Sequence, residues 1–144
     1  MPIVPATLQA YRASLLHFHA DPAFSEQAHA WHADGLLIVA DGKVVAAGDH
    51  AQLLATLPPG AEIVDYRGKL IVPGFIDTHL HFPQTEMIAS PAPGLLPWLE
   101  TYTSPTERAF EAAVHARKVA EFFLDELLRC GTTTAMVYGS VHPQ

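Results

Sequence analysis

The sequence is poor in the features that mark secreted, membrane-spanning or nucleic-acid-binding chains. It has one cysteine in 144 residues, Cys130, so no internal disulfide can form. That argues against the disulfide-stapled secreted class and for a reducing compartment, the cytoplasm. Basic residues are few: eight Lys and Arg against fifteen Asp and Glu give a formal net charge of −7. Apart from Arg117-Lys118 they are scattered singly, whereas a phosphate-binding surface needs them clustered, so no nucleic-acid partner is expected. Long apolar runs are missing as well. Stretches such as Gly35 to Ala40 fall far short of a spanning helix, and the N-terminus lacks the basic patch and apolar run of a signal peptide. No membrane partner is expected. There are no repeats and no low-complexity segment. What the chain does have is apolar material, 49% hydrophobic residues with only 16% charged. That suffices for a packed core and excludes the disordered class.

The first seventy residues read as short strands broken by turns. Ala10 to Phe18 and Trp31 to Val39 have strand character, and Lys43 to Ala47 follows the Asp41-Gly42 pair. Asp-Gly between two β-rich runs predicts a hairpin, because glycine accepts the positive φ of a tight turn. Ala51 to Leu57 suggests one or two helical turns, stopped by Pro58-Pro59-Gly60. Ala61 to Tyr66 is a further short strand, with Arg67-Gly68 as the turn after it.

The character changes at Leu70. The run from Leu70 to His81 is apolar and rich in β-branched residues, and it ends in Asp77, His79 and His81. A buried strand with polar chemistry at its C-terminal end is what an α/β barrel presents at its active face. A loop rich in Pro and Gly follows to Gly94, and Leu95 to Tyr102 suggests a short helix carrying Trp98. Ser104-Pro105-Thr106-Glu107 fits a capping box with Pro at the first helical position. Ala109, Ala113, Ala116, Ala120, Phe123 and Leu127 then recur at helical spacing as one apolar stripe. Gly131 reads as the C-terminal cap and Thr132 to Tyr138 as the next strand, completing a βαβ unit.

Asp77, His79 and His81 are two apart on one strand, so they share a face while Thr78 and Leu80 turn the other way. Two imidazoles so placed can reach one divalent ion; neutral imidazole suits zinc and also iron, nickel or copper. The spacing alone is weak, since His17-x-His19 repeats it in the β region, where it has no such context. The pair at 79 and 81 closes a strand after a Pro-Gly kink, with a loop beyond it. His142, just after the last strand, is also near that end by position. Cys130 sits at a helix C-terminus, a poor setting for a nucleophile.

Pro73-Gly74-Phe75-Ile76-Asp77-Thr78-His79-Leu80-His81 resembles the signature of the metal-dependent amidohydrolase superfamily. Three further segments resemble guanine deaminases within it. They are His81-Phe82-Pro83-Gln84-Thr85-Glu86, the stretch from Leu95-Leu96-Pro97-Trp98 to Thr106-Glu107, and Gly131-Thr132-Thr133-Thr134-Ala135 with Val141-His142-Pro143-Gln144. The resemblance is continuous from about Pro73 onward and loose before it. It implies an α/β fold: residues 1–69 as a segment of a small N-terminal β-sandwich, and residues 70–144 as the first two β/α units of a (β/α)₈ barrel. It implies His79 and His81 as ligands of one divalent metal, zinc with iron as the substitute, and Gln84 as a contact to the purine. A carboxamide is apt there because it offers both a donor and an acceptor to a base edge. It does not support His142 as a ligand. Trp98 can either wall the substrate pocket or anchor a helix in the core, and core packing is the expected role.

The implied activity is hydrolytic deamination of guanine to xanthine and ammonia, a step in purine catabolism. The expected partners are a small-molecule purine and, at full length, a second copy of the chain. The remaining ligands and the general acid and base would lie beyond Gln144, so no catalytic residue is assigned within the chain. A complete barrel takes about 250 residues, so the chain alone is expected to be incomplete and inactive. The alternatives are another amidohydrolase acting on a heterocyclic amine or cyclic amide, and a non-catalytic fragment or binding module. Gln84 and the Leu-Pro-Trp-Leu-Glu segment favour guanine among the enzymes.

Overall fold

The computed structural model describes residues 8–142. Pro143 and Gln144, the last two residues of the motif at 141–144, lie outside the described residues. The chain divides into two compact units, Met1–Pro73 and Gly74–Gln144.

The first unit is a four-stranded mixed sheet in the order β3-β2-β1-β4. Its strands are β1 (Leu8–Phe18), β2 (His29–Ala40), β3 (Lys43–Asp49) and β4 (Ile63–Ile71), with the short helix α1 (His50–Leu53) after β3. Ala40 pairs with Lys43 across the predicted hairpin turn. Asp41 and Gly42 both take positive φ, 51° and 74°, as a two-residue turn matched to the strand twist requires. In β1 the buried positions are Ala10, Ala13 and Leu15. The step of three from Ala10 to Ala13 breaks the period of two, which Ala13 and Leu15 then keep. Between those two the pairing with β2 slips, so that Ala33 and Asp34 of β2 lie opposite Ser14 in a bulge. Ser14 sits in the bulge and donates its hydroxyl hydrogen to the Ala33 carbonyl at 2.8 Å. Ala10, Leu36 and Ile38 form the buried centre, with Ala46, Leu53, Leu57 and Ile63 packed around it.

The turn expected at Arg67-Gly68 does not end a strand. β4 runs through it to Ile71, and the pairing with β1 jumps from Arg12–Asp65 to Ser14–Leu70. The intervening residues loop out, closed by Asp65, which accepts from the Arg67 backbone N–H at 2.9 Å and binds the guanidinium. The run from Leu70 to His81 is likewise not one buried strand. Leu70 and Ile71 finish β4, and the motif strand β5 starts at Phe75 (Phe75–His81). Phe75 and Ile76 are exposed among the described residues.

The second unit pairs β5 in parallel with β6 (Thr132–Tyr138). Between them the chain passes a 3₁₀ turn at Phe82–Met87 and then a helical path: α2 (Leu95–Trp98), a π turn at Leu99–Thr103, α3 (Ser104–Arg108) and a 3₁₀ turn at Ala109–Glu111. The long helix α4 (Ala113–Arg129) follows. Ser104 is not a cap. Its backbone is already helical, and no side chain caps this start. The helix begins earlier, at Leu95, and breaks at Ala112, which is extended (φ −86°, ψ 106°). The inward stripe therefore starts inside α4, at Ala116, Val119, Ala120, Phe123 and Leu127, while Ala109 and Ala113 are exposed. α4 ends as expected: Gly131 has φ +82° and donates its N–H to the Leu128 carbonyl. Its own carbonyl accepts from Phe75 at 2.8 Å, tying the helix end to the start of β5.

Candidate metal centre

Residues at alternate positions of a strand share a face, and β5 brings His79 and His81 together as its sequence predicts. Their Nε2 atoms lie 3.3 Å apart. Asp77 takes another role: its Oδ1 accepts from the His79 backbone N–H at 3.0 Å, which fixes the strand just before the pair. Tyr138, directly across on β6, stacks on His81 with centroids 4.6 Å apart and planes at 13°. The same ring lies 5.3 Å from the His79 ring. The strand pairing thus supplies an aromatic plate that limits rotation of both imidazoles. Nothing in the sequence read alone pointed to Tyr138; the parallel register between β5 and β6 is what places it.

The 3₁₀ turn after β5 carries Gln84 back toward the histidines. Pro83 is buried at its start, and Thr85 donates its hydroxyl to the Phe82 carbonyl at 2.6 Å. Gln84 is part-buried rather than solvated. Its Nε2 lies 3.4 Å from His81 Nδ1 and donates to Glu107 Oε1, on α3, at 3.1 Å. A groove of about 580 Å³ runs past these groups, lined by His79, His81, Gln84, Trp98, Phe122 and Phe123 among others. Trp98, assigned to the core from sequence, is part-buried and forms one wall.

The donor set fits a divalent cation. Two imidazole nitrogens 3.3 Å apart at the end of one strand are near enough for a single divalent ion to take both as donors, and neutral imidazole is a preferred ligand for zinc. Among the described residues no third His, Cys, Asp or Glu joins them in a metal-holding group. His142 bonds Ser140 Oγ through its backbone N–H. His17 and His19 stand with ring centroids 6.3 Å apart at 65°, and His17 faces His32 instead.

The chain is similar to known proteins. The amidohydrolase family pattern matches residues 70–144. Guanine deaminase of Escherichia coli K12 is 50% identical over 111 residues, which cover 77% of this chain and 25% of the relative. A probable guanine deaminase of Deinococcus radiodurans is 40% identical over 137 residues, covering 92% and 31%. The solved E. coli guanine deaminase superposes with a TM-score of 0.86 at 43% identity, over 94% of this chain and 32% of that one. The chain thus spans between a quarter and a third of the length of these relatives. With the family pattern running from Leu70 through the histidine pair, over more than half its length, this chain belongs to the amidohydrolase family.

Proposed function

We propose that these residues form the N-terminal part of a guanine deaminase, which hydrolyses guanine to xanthine and ammonia. The observation that carries the reading is the convergence of His79 and His81, with Gln84 beside them, in a chain half identical to the E. coli enzyme over 111 residues. Under this reading residues 1–69 belong to a small β-sandwich and residues 70–144 to the first two β/α units of a (β/α)₈ barrel. His79 and His81 hold a divalent metal, zinc or in its place iron, through their Nε2 atoms. The full-length protein works in the cytoplasm as a homodimer.

A divalent cation at this position supplies the Lewis acidity that makes hydroxide available near neutral pH. The remaining roles belong to side chains. The two imidazoles are donors from a rigid strand, and Tyr138 keeps their planes from turning. Gln84 presents its carboxamide to the purine edge in the groove, and Trp98 closes one side. Water adds to the ring carbon that bears the exocyclic amine, and that amine leaves as ammonia after gaining a proton. No residue of this chain is assigned as the donor of that proton.

The test is guanine turnover by the full-length protein, followed by loss of guanine absorbance, together with metal content per chain. Turnover that disappears, with loss of metal, in His79→Ala and His81→Ala is the expected result. Turnover of a different ring amine or cyclic amide, and none of guanine, would replace the substrate while keeping the family.

A further inference from the structure

The functional reading leaves Glu107 unused, although among the described residues this carboxylate, outside the motif strand, is hydrogen-bonded to a site residue. It sits on α3, part-buried, and accepts the Gln84 Nε2 hydrogen at 3.1 Å. Gln84 lines the groove, and it is the nitrogen end of its carboxamide that Glu107 engages.

A carboxamide can turn end for end at little cost, so something must decide which end faces a ligand. The neighbour at the metal centre pulls the wrong way. When His81 Nε2 serves as a metal donor, the neutral ring carries its hydrogen on Nδ1. That Nδ1–H stands 3.4 Å from Gln84 Nε2, donor against donor. Left to His81 alone, the amide would turn its oxygen inward. A carboxylate accepts only, so Glu107 holds the nitrogen end in place.

We infer that Glu107 is a positioning residue that fixes the Gln84 carboxamide with its oxygen toward the groove, so that the site selects a ring presenting an N–H donor there. Guanine carries such donors on N1 and on its amino group. The inference rests on the guanine reading above. It adds a residue 23 positions from Gln84, on a different element.

The experiment uses the full-length metal-loaded protein and guanine. Glu107→Met keeps the volume and removes the acceptor. It should raise KM for guanine about five- to tenfold, the size of one hydrogen bond, with kcat within about twofold. Metal content should not change. Glu107→Gln restores an acceptor and should return KM to within about twofold of the parent. In a Gln84→Ala background, Glu107→Met should have no further effect on KM. Should Glu107→Met not fold, Glu107→Lys offers only donors, turns the amide over and should raise KM at least as much. An unchanged KM in the soluble variants, or an equal rise with Gln84 absent, overturns the positioning role while the parent still deaminates guanine. No guanine turnover by the parent overturns the functional reading and this inference with it.

Discussion

Gly74 offers a sharp test of how the motif strand is held. A methyl group built at this position would overlap Oγ1 and Cγ2 of Thr133 and come within 2.7 Å of its Cβ. Carbon atoms in good contact stand about 3.5–4.0 Å apart. Rotating the Thr133 side chain moves Oγ1 and Cγ2 but not Cβ, so the start of β5 and the start of β6 must separate. Overpacking of this kind costs about 1–3 kcal/mol, and the backbone-fixed overlap places Gly74→Ala in the upper half of that range. With a urea slope of about 1–3 kcal/mol per molar, the unfolding midpoint should fall by about 1 M. The loss should appear in the transition of the unit that contains β5 and leave the four-stranded sheet unaffected. Thr133→Gly removes the overlapping atoms at a cost of about 0.5–1 kcal/mol for glycine in a strand. In the double variant most of the Gly74→Ala loss should return, a coupling of about 1 kcal/mol or more. A Gly74→Ala midpoint equal to the parent's, or purely additive losses, would refute the steric account.

Further outcomes follow from other contacts. Phe110 is 1% exposed and meets Phe82 and His115 edge-on at 5.1 and 4.9 Å; Phe110→Ala should cost about 3–5 kcal/mol by the same denaturation. Arg67 holds the Asp65 carboxyl down to about 2, chiefly through the side-chain hydrogen bond. A depressed carboxyl adds stability that is present above its unfolded value and lost as pH falls through about 2. In Arg67→Ala the Asp65 midpoint, read from the carboxyl carbon shift, should rise from about 2 toward the ordinary carboxylate range, stopping short of it because the residue 67 backbone N–H and Arg12 still favour the charged form. Tyr138→Leu removes the plate over His81; metal affinity, measured by competition with a chelator, should weaken about two- to tenfold, the worth of an aromatic pair. An unchanged affinity would remove Tyr138 from the centre.

Local chemistry made the hairpin at Asp41-Gly42, the cap at Gly131 and the pairing of His79 with His81 legible, because each depends on residues a few positions apart. The misreadings came from residues with two uses. Ser104 and Glu107 have the spacing of a capping box, but the chain is already helical at Ser104 and Glu107 is spent on Gln84. Arg67-Gly68 has turn chemistry, and the strand makes the turn and then resumes, because Leu70 and Ile71 regain partners on β1. The alanine-rich stripe hid the break at Ala112, since alanine signals neither start nor stop. Tyr138 and Glu107 were illegible as site residues for a plainer reason. Their contacts depend on strand register and helix docking, and no periodicity in one sequence encodes those.

The place of β1 in its sheet bears on the order in which that unit assembles. β2 and β3 are joined by a two-residue turn and can zip within microseconds of collapse. β1 can add to β2 soon afterwards. β4 is different: Ala10 lies opposite Ile63, in parallel, with two strands and a helix of chain between them. A contact that distant must first overcome the entropy of closing a long loop, so it forms late. Until it does, one edge of β1 stays open beside Ala10 and Leu15. During synthesis the ribosome would therefore expose a three-stranded intermediate with a sticky flank until Ile63–Ile71 emerges. The short interval before β4 arrives is when this polypeptide is most exposed to mispairing with its neighbours.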